Sequence, residues 1–81
     1  MNRDSYRLDF VLNVFTRLGY SSWRATENIA LLNHPSISSE IIIDLNHPVL
    51  PSAVIEIKIK DAEIRPEFFD SMYNAEEQNH S

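Results

Sequence analysis

The chain has 81 residues, with 12 acidic and seven basic side chains and a formal net charge of −5. A chain of this length forms one domain with one small core, and it buries only about 60–65% of the surface that its unfolded form exposes. The absence of cysteine excludes disulfides, zinc–thiolate sites and thiol nucleophiles. No segment has the ~20 apolar residues of a membrane span, and the first residues lack a signal-peptide pattern. We therefore expect a cytoplasmic protein that folds without a metal or cofactor.

The charges are distributed unevenly along the chain. Residues 1–39 carry four arginines against three acids, whereas residues 61–81 carry six acids against Arg65 alone. Affinity for phosphates requires clustered Lys and Arg, so this composition disfavours binding to nucleic acid. The acidic C-terminal quarter is either a solvated surface that maintains solubility or a surface that docks on a basic protein.

The first element that the sequence predicts is an amphipathic helix from Asp4 to Leu18, where apolar residues recur at helical spacing. Asp4 or Ser5 can accept the free amide protons of its first turn, and Gly19 supplies a left-handed stop. This is the most strongly indicated element of the chain.

Three strands are predicted next. Residues 21–25 and 28–33 can pair as a hairpin or form one bent strand, and His34-Pro35 is typical of a turn. The β-branched run 40–45 lies between turn residues and favours a strand. We expect one three-stranded antiparallel sheet from this part of the chain.

Residues 54–60 carry two conflicting patterns. Isoleucines at 55, 57 and 59 alternate with charged residues, which is typical of a half-buried strand. Pro51-Ser52 is nevertheless a good helix entry, and Ile55 and Ile59 fall on one helical face. A final helix is predicted from Pro66, with residues 74–81 as a polar tail behind a single domain at 4–73.

The order of these features resembles the HicA/YcfA toxins of toxin–antitoxin pairs. The resemblance implies a compact α-β-β-β-α fold similar to a double-stranded-RNA-binding domain, in which a three-stranded antiparallel sheet packs on two helices, with a short C-terminal helix behind them. It also makes residues 52–62 the second helix. That family cleaves mRNA and is neutralised by a partner antitoxin. The residues that carry the resemblance are Leu18-Gly19-Tyr20, Trp23-Arg24, His34-Pro35, Ile41-Ile42-Ile43, Leu50-Pro51, Ala62-Glu63-Ile64 and Glu67-Phe68.

The active segment of that family runs from an arginine through Gly-Ser-His-His to His-Pro. With Arg24 and His34-Pro35 set on the ends of this segment, residues 27–30 fall on Gly-Ser-His-His, so Ile29 and Ala30 replace both histidines. Phosphodiester cleavage needs a group that carries a proton near neutral pH, and an aliphatic side chain cannot do this. The resemblance therefore implies a non-catalytic relative.

An enzymatic alternative stays open at this point. Strand pairing could bring His34 and His47 together as an acid and a base, which would make the chain an mRNA-cleaving toxin. A metal site formed by these histidines with Asp44 is a weaker possibility. His80 lies in the polar tail, where we expect it to be inert.

The function that we expect is a small, acidic, non-catalytic protein that docks on another macromolecule. Such a protein could regulate or inhibit a nucleic-acid-handling protein by occupying its basic surface, as phage-encoded anti-defence proteins do. A homodimer formed by pairing sheet edges is a further possibility. We expect Trp23 to be a core residue first and an interface residue second, with Arg24 reaching outward. The candidate partner-binding residues are Glu63, Glu67, Asp70, Trp23, Arg24 and Glu27.

Overall fold

The computed structural model describes residues 3–79, and it confirms the predicted α+β class. Three helices accompany one three-stranded and one two-stranded antiparallel sheet. In chain order the elements are β1 Ser5–Arg7, α1 Leu8–Arg17, β2 Ser21–Thr26, β3 Ile29–His34, β4 Ile37–Asp44, β5 Val49–Pro51, α2 Ser52–Asp61 and α3 Pro66–Asn79.

The larger sheet has the strand order β2-β3-β4, so β3 is central. Strands β2 and β3 pair as a hairpin, which selects the first of the two arrangements open from the sequence. Successive side chains of a strand point to opposite faces, and the inward ones on β3 and β4 are almost fully buried. They are Ala30, Leu32, Ile41 and Ile43. This inner face packs on the helices, and the opposite face is uncovered.

The conflict over residues 54–60 is resolved in favour of a helix. Ile55 and Ile59 are buried on the same side of α2, whereas Ile57 is 60% exposed. Pro51 precedes the helix in an extended conformation, which suits a residue at a helix entry. Packing of one apolar side against the core thus overrides the β preference of the isoleucines.

The first helix is shorter than predicted, because Ser5–Arg7 form a strand. Strand β1 pairs antiparallel with β5, and Tyr6 lies opposite Leu50. The helix-capping role predicted for Asp4 or Ser5 is wrong, since Arg7 occupies the N-cap without a side-chain hydrogen bond. The predicted stop at Gly19 is confirmed, with a φ of +96°.

The last helix is longer than predicted. Residues 74–79, expected as part of a polar tail, continue α3 as far as Asn79. Glu76 in this stretch is almost fully buried and pairs with Arg17 of α1. Contact with α1 thus orders a segment that has little apolar character of its own. His80 lies outside the described residues.

Aromatic side chains join the helices to β1 in the centre of the molecule. The ring of Tyr6 meets Tyr73 edge to face at 4.8 Å and Phe69 at 5.7 Å. Phe15 of α1 contacts Phe69 at 6.0 Å and Tyr20 at 5.2 Å. Such tilted and edge-to-face pairs add to the stabilisation from apolar burial. Within residues 3–79, no helix combines the length and apolarity that crossing a membrane requires.

Candidate functional site

The two histidines proposed as an acid–base pair lie at opposite ends of one hairpin. His34 ends β3 and pairs with Ile37, whereas Asp44 at the far end of β4 pairs with Ile29 and is followed closely by His47. The length of β3 separates these ends by roughly 17 Å, at about 3.4 Å per residue. The expectation that strand pairing brings the imidazoles together is therefore wrong.

His34 is a packed turn residue. Its Nδ1 accepts a hydrogen bond from the backbone N–H of Ser36 at 3.0 Å, and its ring lies 5.0 Å from that of Tyr20. A Cβ added at Gly19 would approach His34 Nε2 to 3.2 Å, so the imidazole ring packs closely on the backbone of Gly19. These contacts explain a histidine at this turn without catalysis.

The positions that the resemblance assigns to ribonuclease histidines point to opposite faces of the sheet. Ala30 is 6% exposed and faces the helices, while Ile29 faces outward and is 36% exposed. Ala30 could not present any group to a substrate from this position. Ile29 belongs instead to an apolar surface on the outer side of the sheet.

Trp23 is not a core residue. It is 52% exposed on the edge strand β2, so the expectation that it completes the core is wrong. Every residue of β2, an edge strand of the sheet, is exposed. A tryptophan exposed to this extent is a candidate contact for a partner.

Arg24 lies opposite Ala30, on the inner side of the exposed edge strand. It lines a small groove of about 190 Å³ together with Leu12 and Ser22. Within the described part of the chain, Arg24 forms no ion pair. Glu27 is exposed in the turn that follows β2.

The C-terminal acids predicted to bind a partner have different environments. Asp70 is half-buried and accepts a hydrogen bond from the hydroxyl of Tyr6. Glu63 is exposed in the turn between α2 and α3, with a φ of +59°, and Glu67 is exposed in the first turn of α3. Asp70 thus contributes to the fold, whereas Glu63 and Glu67 are available to solvent.

Two other acids of this region also serve the fold. Glu76 Oε1 accepts a hydrogen bond from Arg17 at 3.0 Å, and Glu77 pairs with Arg3. The exposed acids that remain lie close in the chain to three cations, and to Glu56 of α2 as a fourth acid. These residues are Asp61, Glu63 and Glu67 with Lys58, Lys60 and Arg65. The C-terminal excess of acids therefore does not form a continuous acidic surface.

The uncovered side of the large sheet carries an apolar row across all three strands. Trp23 lies opposite Leu31, and Leu31 lies opposite Ile42, so their side chains share one face. Ile42 is 50% exposed and Leu31 is partly exposed. With Ile29, these residues form what we call the outer face.

Sequence reasoning did not identify Leu31 and Ile42 as candidates. A signal was present, because Ile41-Ile42-Ile43 places three apolar residues in succession on a strand. In a sheet covered on one side only, such a run must direct at least one apolar side chain to the open side.

The border of the outer face is polar and acidic. With its amide oriented to satisfy both neighbours, Asn33 accepts a hydrogen bond from Trp23 Nε1 and donates one to Glu40, each at 3.2 Å. Asp44 lies opposite Ile29 at the other end of the sheet. Among the described residues of β2, β3 and β4, no Lys or Arg occupies an outward position, since Arg24 lies on the inner side.

A groove of about 600 Å³ lies beside this border. It runs from the end of β4 along β5 to the start of α2. Its lining residues are Asp44, His47, Pro48, Val49, Leu50, Pro51 and Val54. It is large enough for a small ligand or a peptide side chain.

Within residues 3–79, no three His, Asp or Glu side chains come together in a way that could hold a metal ion. The combination of His34, His47 and Asp44 considered from the sequence is not assembled. Comparison with protein-family models gives no match, and comparison with curated proteins gives no significant match.

Proposed function

We propose that this protein is a non-catalytic binding module that docks on another protein through its outer face. The observation that carries the proposal is the exposed row of Trp23, Leu31 and Ile42 across three strands. Contiguous apolar surface with a polar border is typical of protein-interaction sites, and a half-exposed tryptophan within it is a favourable anchor. These side chains lie on the face of the sheet opposite to the core and add little to it.

The acidic border indicates the chemistry of the partner. Glu27, Glu40 and Asp44 border the apolar row, and no Lys or Arg occupies an outward position on the described strands β2, β3 and β4. Such a surface repels phosphates and attracts Lys and Arg, which favours a protein with a basic surface over a nucleic acid. Proteins that handle nucleic acids carry basic surfaces.

The role that we propose is regulation or inhibition of such a nucleic-acid-handling protein. The module would cover a basic surface that the partner otherwise uses for phosphates. This role rests on the size and charge of the chain. The resemblance to HicA-type toxins bears only on the lack of catalysis, because the two histidine positions carry Ile29 and Ala30. Neither side chain transfers protons.

The test compares substitutions on two exposed isoleucines. Ile42→Lys changes the outer face, whereas Ile57→Lys changes an isoleucine of α2 with similar exposure, 60% against 50%. We expect Ile42→Lys and Trp23→Ser to weaken binding to a captured partner by about 30-fold or more, as for the loss of a hot-spot residue. Ile57→Lys should bind as the wild type does, and raised salt should weaken the wild-type complex.

Two results would overturn the proposal. One is a partner whose affinity is unchanged by Trp23→Ser and Ile42→Lys although both variants give the wild-type circular dichroism spectrum. The other is cleavage of RNA by the purified protein that is lost in His34→Ala, which would establish an enzyme in place of a binding module.

A further inference from the structure

The groove beside the outer face combines aliphatic walls with polar groups at one end. Pro48, Pro51 and Val54 contribute apolar surface, and Val49 is 44% exposed. Leu50 lies beneath them and is 4% exposed. A ligand with an extended hydrocarbon portion would displace water from these walls favourably.

The polar end of the groove carries a negative charge. Asp44 Oδ1 accepts a hydrogen bond from the backbone N–H of Asn46 at 2.8 Å, which fixes the orientation of the carboxylate. The second carboxylate oxygen of Asp44 has no partner among the residues that the structure describes. The imidazole of His47 lines the same groove and is exposed. This end therefore favours a cationic group that donates hydrogen bonds.

The groove is continuous with the outer face. Asp44 lies opposite Ile29, which is part of that face, and it also lines the groove. A protein seated on the outer face would have its own surface next to the groove entrance. The groove is thus within reach of a side chain that extends from the docked partner.

We propose that the groove receives an arginine side chain of the partner protein. The methylene portion would lie on Val49 and Val54, and the guanidinium would donate to Asp44 and stack on the ring of His47. Arginine fits better than lysine because its planar guanidinium is weakly hydrated and can stack while it donates. This inference rests on the proposed function and adds to it the residue type that the partner contributes.

The experiment uses a short probe, so that it does not require the partner. The full chain is titrated with acetyl-Ala-Arg-Ala-amide, and with the same peptide carrying citrulline in place of arginine, while amide chemical shifts are followed by NMR. Citrulline has nearly the same shape without the charge. We expect the arginine peptide to shift the amides of residues 44–54 and to bind at least about tenfold more tightly than the citrulline peptide.

The matched variants separate the groove from a general effect of charge. Asp44→Asn keeps an acceptor for the Asn46 amide but removes the charge, so it should weaken binding of the arginine peptide by about tenfold. Glu56→Gln removes an exposed charge of α2 outside both the groove and the outer face, and it should leave binding unchanged. Equal binding of the two peptides, or no saturable shift at residues 44–54, would overturn the inference.

The groove and the outer face can fail separately. If a partner depends on Trp23 but the arginine peptide does not bind, the groove inference is wrong and the proposed function stands. If the peptide binds in the groove but the partner is insensitive to Trp23→Ser and Ile42→Lys, the docking face is wrong and the groove stands.

Discussion

Two regions of the molecule differ in how they use polar and aromatic side chains. One is the contact between α1, β1 and α3, which we call the helical contact, and the other is the outer face of the large sheet. In the helical contact these groups are paired. Arg3 bonds to Asn74 and Glu77, and its guanidinium lies 4.6 Å from the centre of the Tyr73 ring. The outer face instead exposes Trp23 and Ile42 and leaves its acids around them.

This difference shows that the number of charges in a segment does not predict how many of them are free at the surface. The C-terminal quarter has the largest excess of acids, yet Asp70, Glu76 and Glu77 bind groups within the same domain. The large sheet has fewer acids, but they border the apolar outer face, on which no helix packs. A side chain that is needed for the fold is not free to bind a partner.

The largest expected effect compares an aromatic residue from each region. Phe69 is fully buried, so Phe69→Ala should lower the free energy of unfolding by about 3–5 kcal/mol. Trp23→Ala removes a side chain that is 52% exposed and should lower it by less than about 1 kcal/mol. Urea unfolding followed by circular dichroism measures both losses. Tryptophan fluorescence would not, because Trp23 is the single tryptophan of the chain. A loss of similar size in both variants would show that the outer face belongs to the core.

A smaller effect is expected from an ion pair of the helical contact. The side chain of Glu76 is 8% exposed and that of Arg17 is 51% exposed, at an N–O distance of 3.0 Å. Arg17→Met leaves the acid buried with weaker compensation, so stability should fall by about 1–2 kcal/mol. The matched outer-face variant Glu40→Gln should change it by less than about 0.5 kcal/mol. The comparison fails if Arg17→Met is as mild as Glu40→Gln.

The parts of the fold that were predicted from sequence have local signals. The first helix has apolar residues at helical spacing and ends before Gly19. Strands β2 and β3 lie on both sides of a short turn, although the sequence left open whether they pair as a hairpin or form one bent strand. The final helix begins at Pro66, as its position favours. Each of these signals lies within a few residues of the feature that it predicts.

The parts that were missed depend on residues far apart in the chain. Strand β1 exists only because Tyr6 pairs with Leu50, and the end of α3 is ordered by Arg3 and Arg17. The exposure of Trp23 depends on its pairing with Leu31, which directs its side chain to the uncovered face of the sheet. Local composition could not predict these outcomes. The run Ile41-Ile42-Ile43 is typical of a strand with apolar side chains on both faces, but no open apolar face was predicted from it.

The three tyrosines differ in the hydrogen bonds of their hydroxyl groups, and replacing one by phenylalanine should change the free energy of unfolding by about 1 kcal/mol where a bond is lost. Tyr73→Phe removes the acceptor for the backbone N–H of Arg7, a bond of 2.8 Å, and Tyr6→Phe removes the bond to Asp70. Both should lower the free energy of unfolding by about 1 kcal/mol or more, because each leaves a partner unsatisfied. The buried hydroxyl of Tyr20 has no partner among the described residues, so Tyr20→Phe should be neutral or stabilising.

The smallest effect is absent at neutral pH and develops only in alkali. Burial, then the bond to Asp70, raises the pKa of Tyr6 above the ordinary 10.0, and burial, then Glu63, raises the pKa of Tyr20. The folded protein therefore holds protons that the unfolded chain releases, so stability is fully present below pH 10 and is lost as pH rises further. Urea midpoints measured from pH 9 to 11.5 should fall less steeply in Tyr6→Phe and Tyr20→Phe than in the wild type. Trp23→Ser should keep the wild-type slope, because its region buries no phenol. An equal slope in all four proteins would mean that neither phenol is held protonated by the fold.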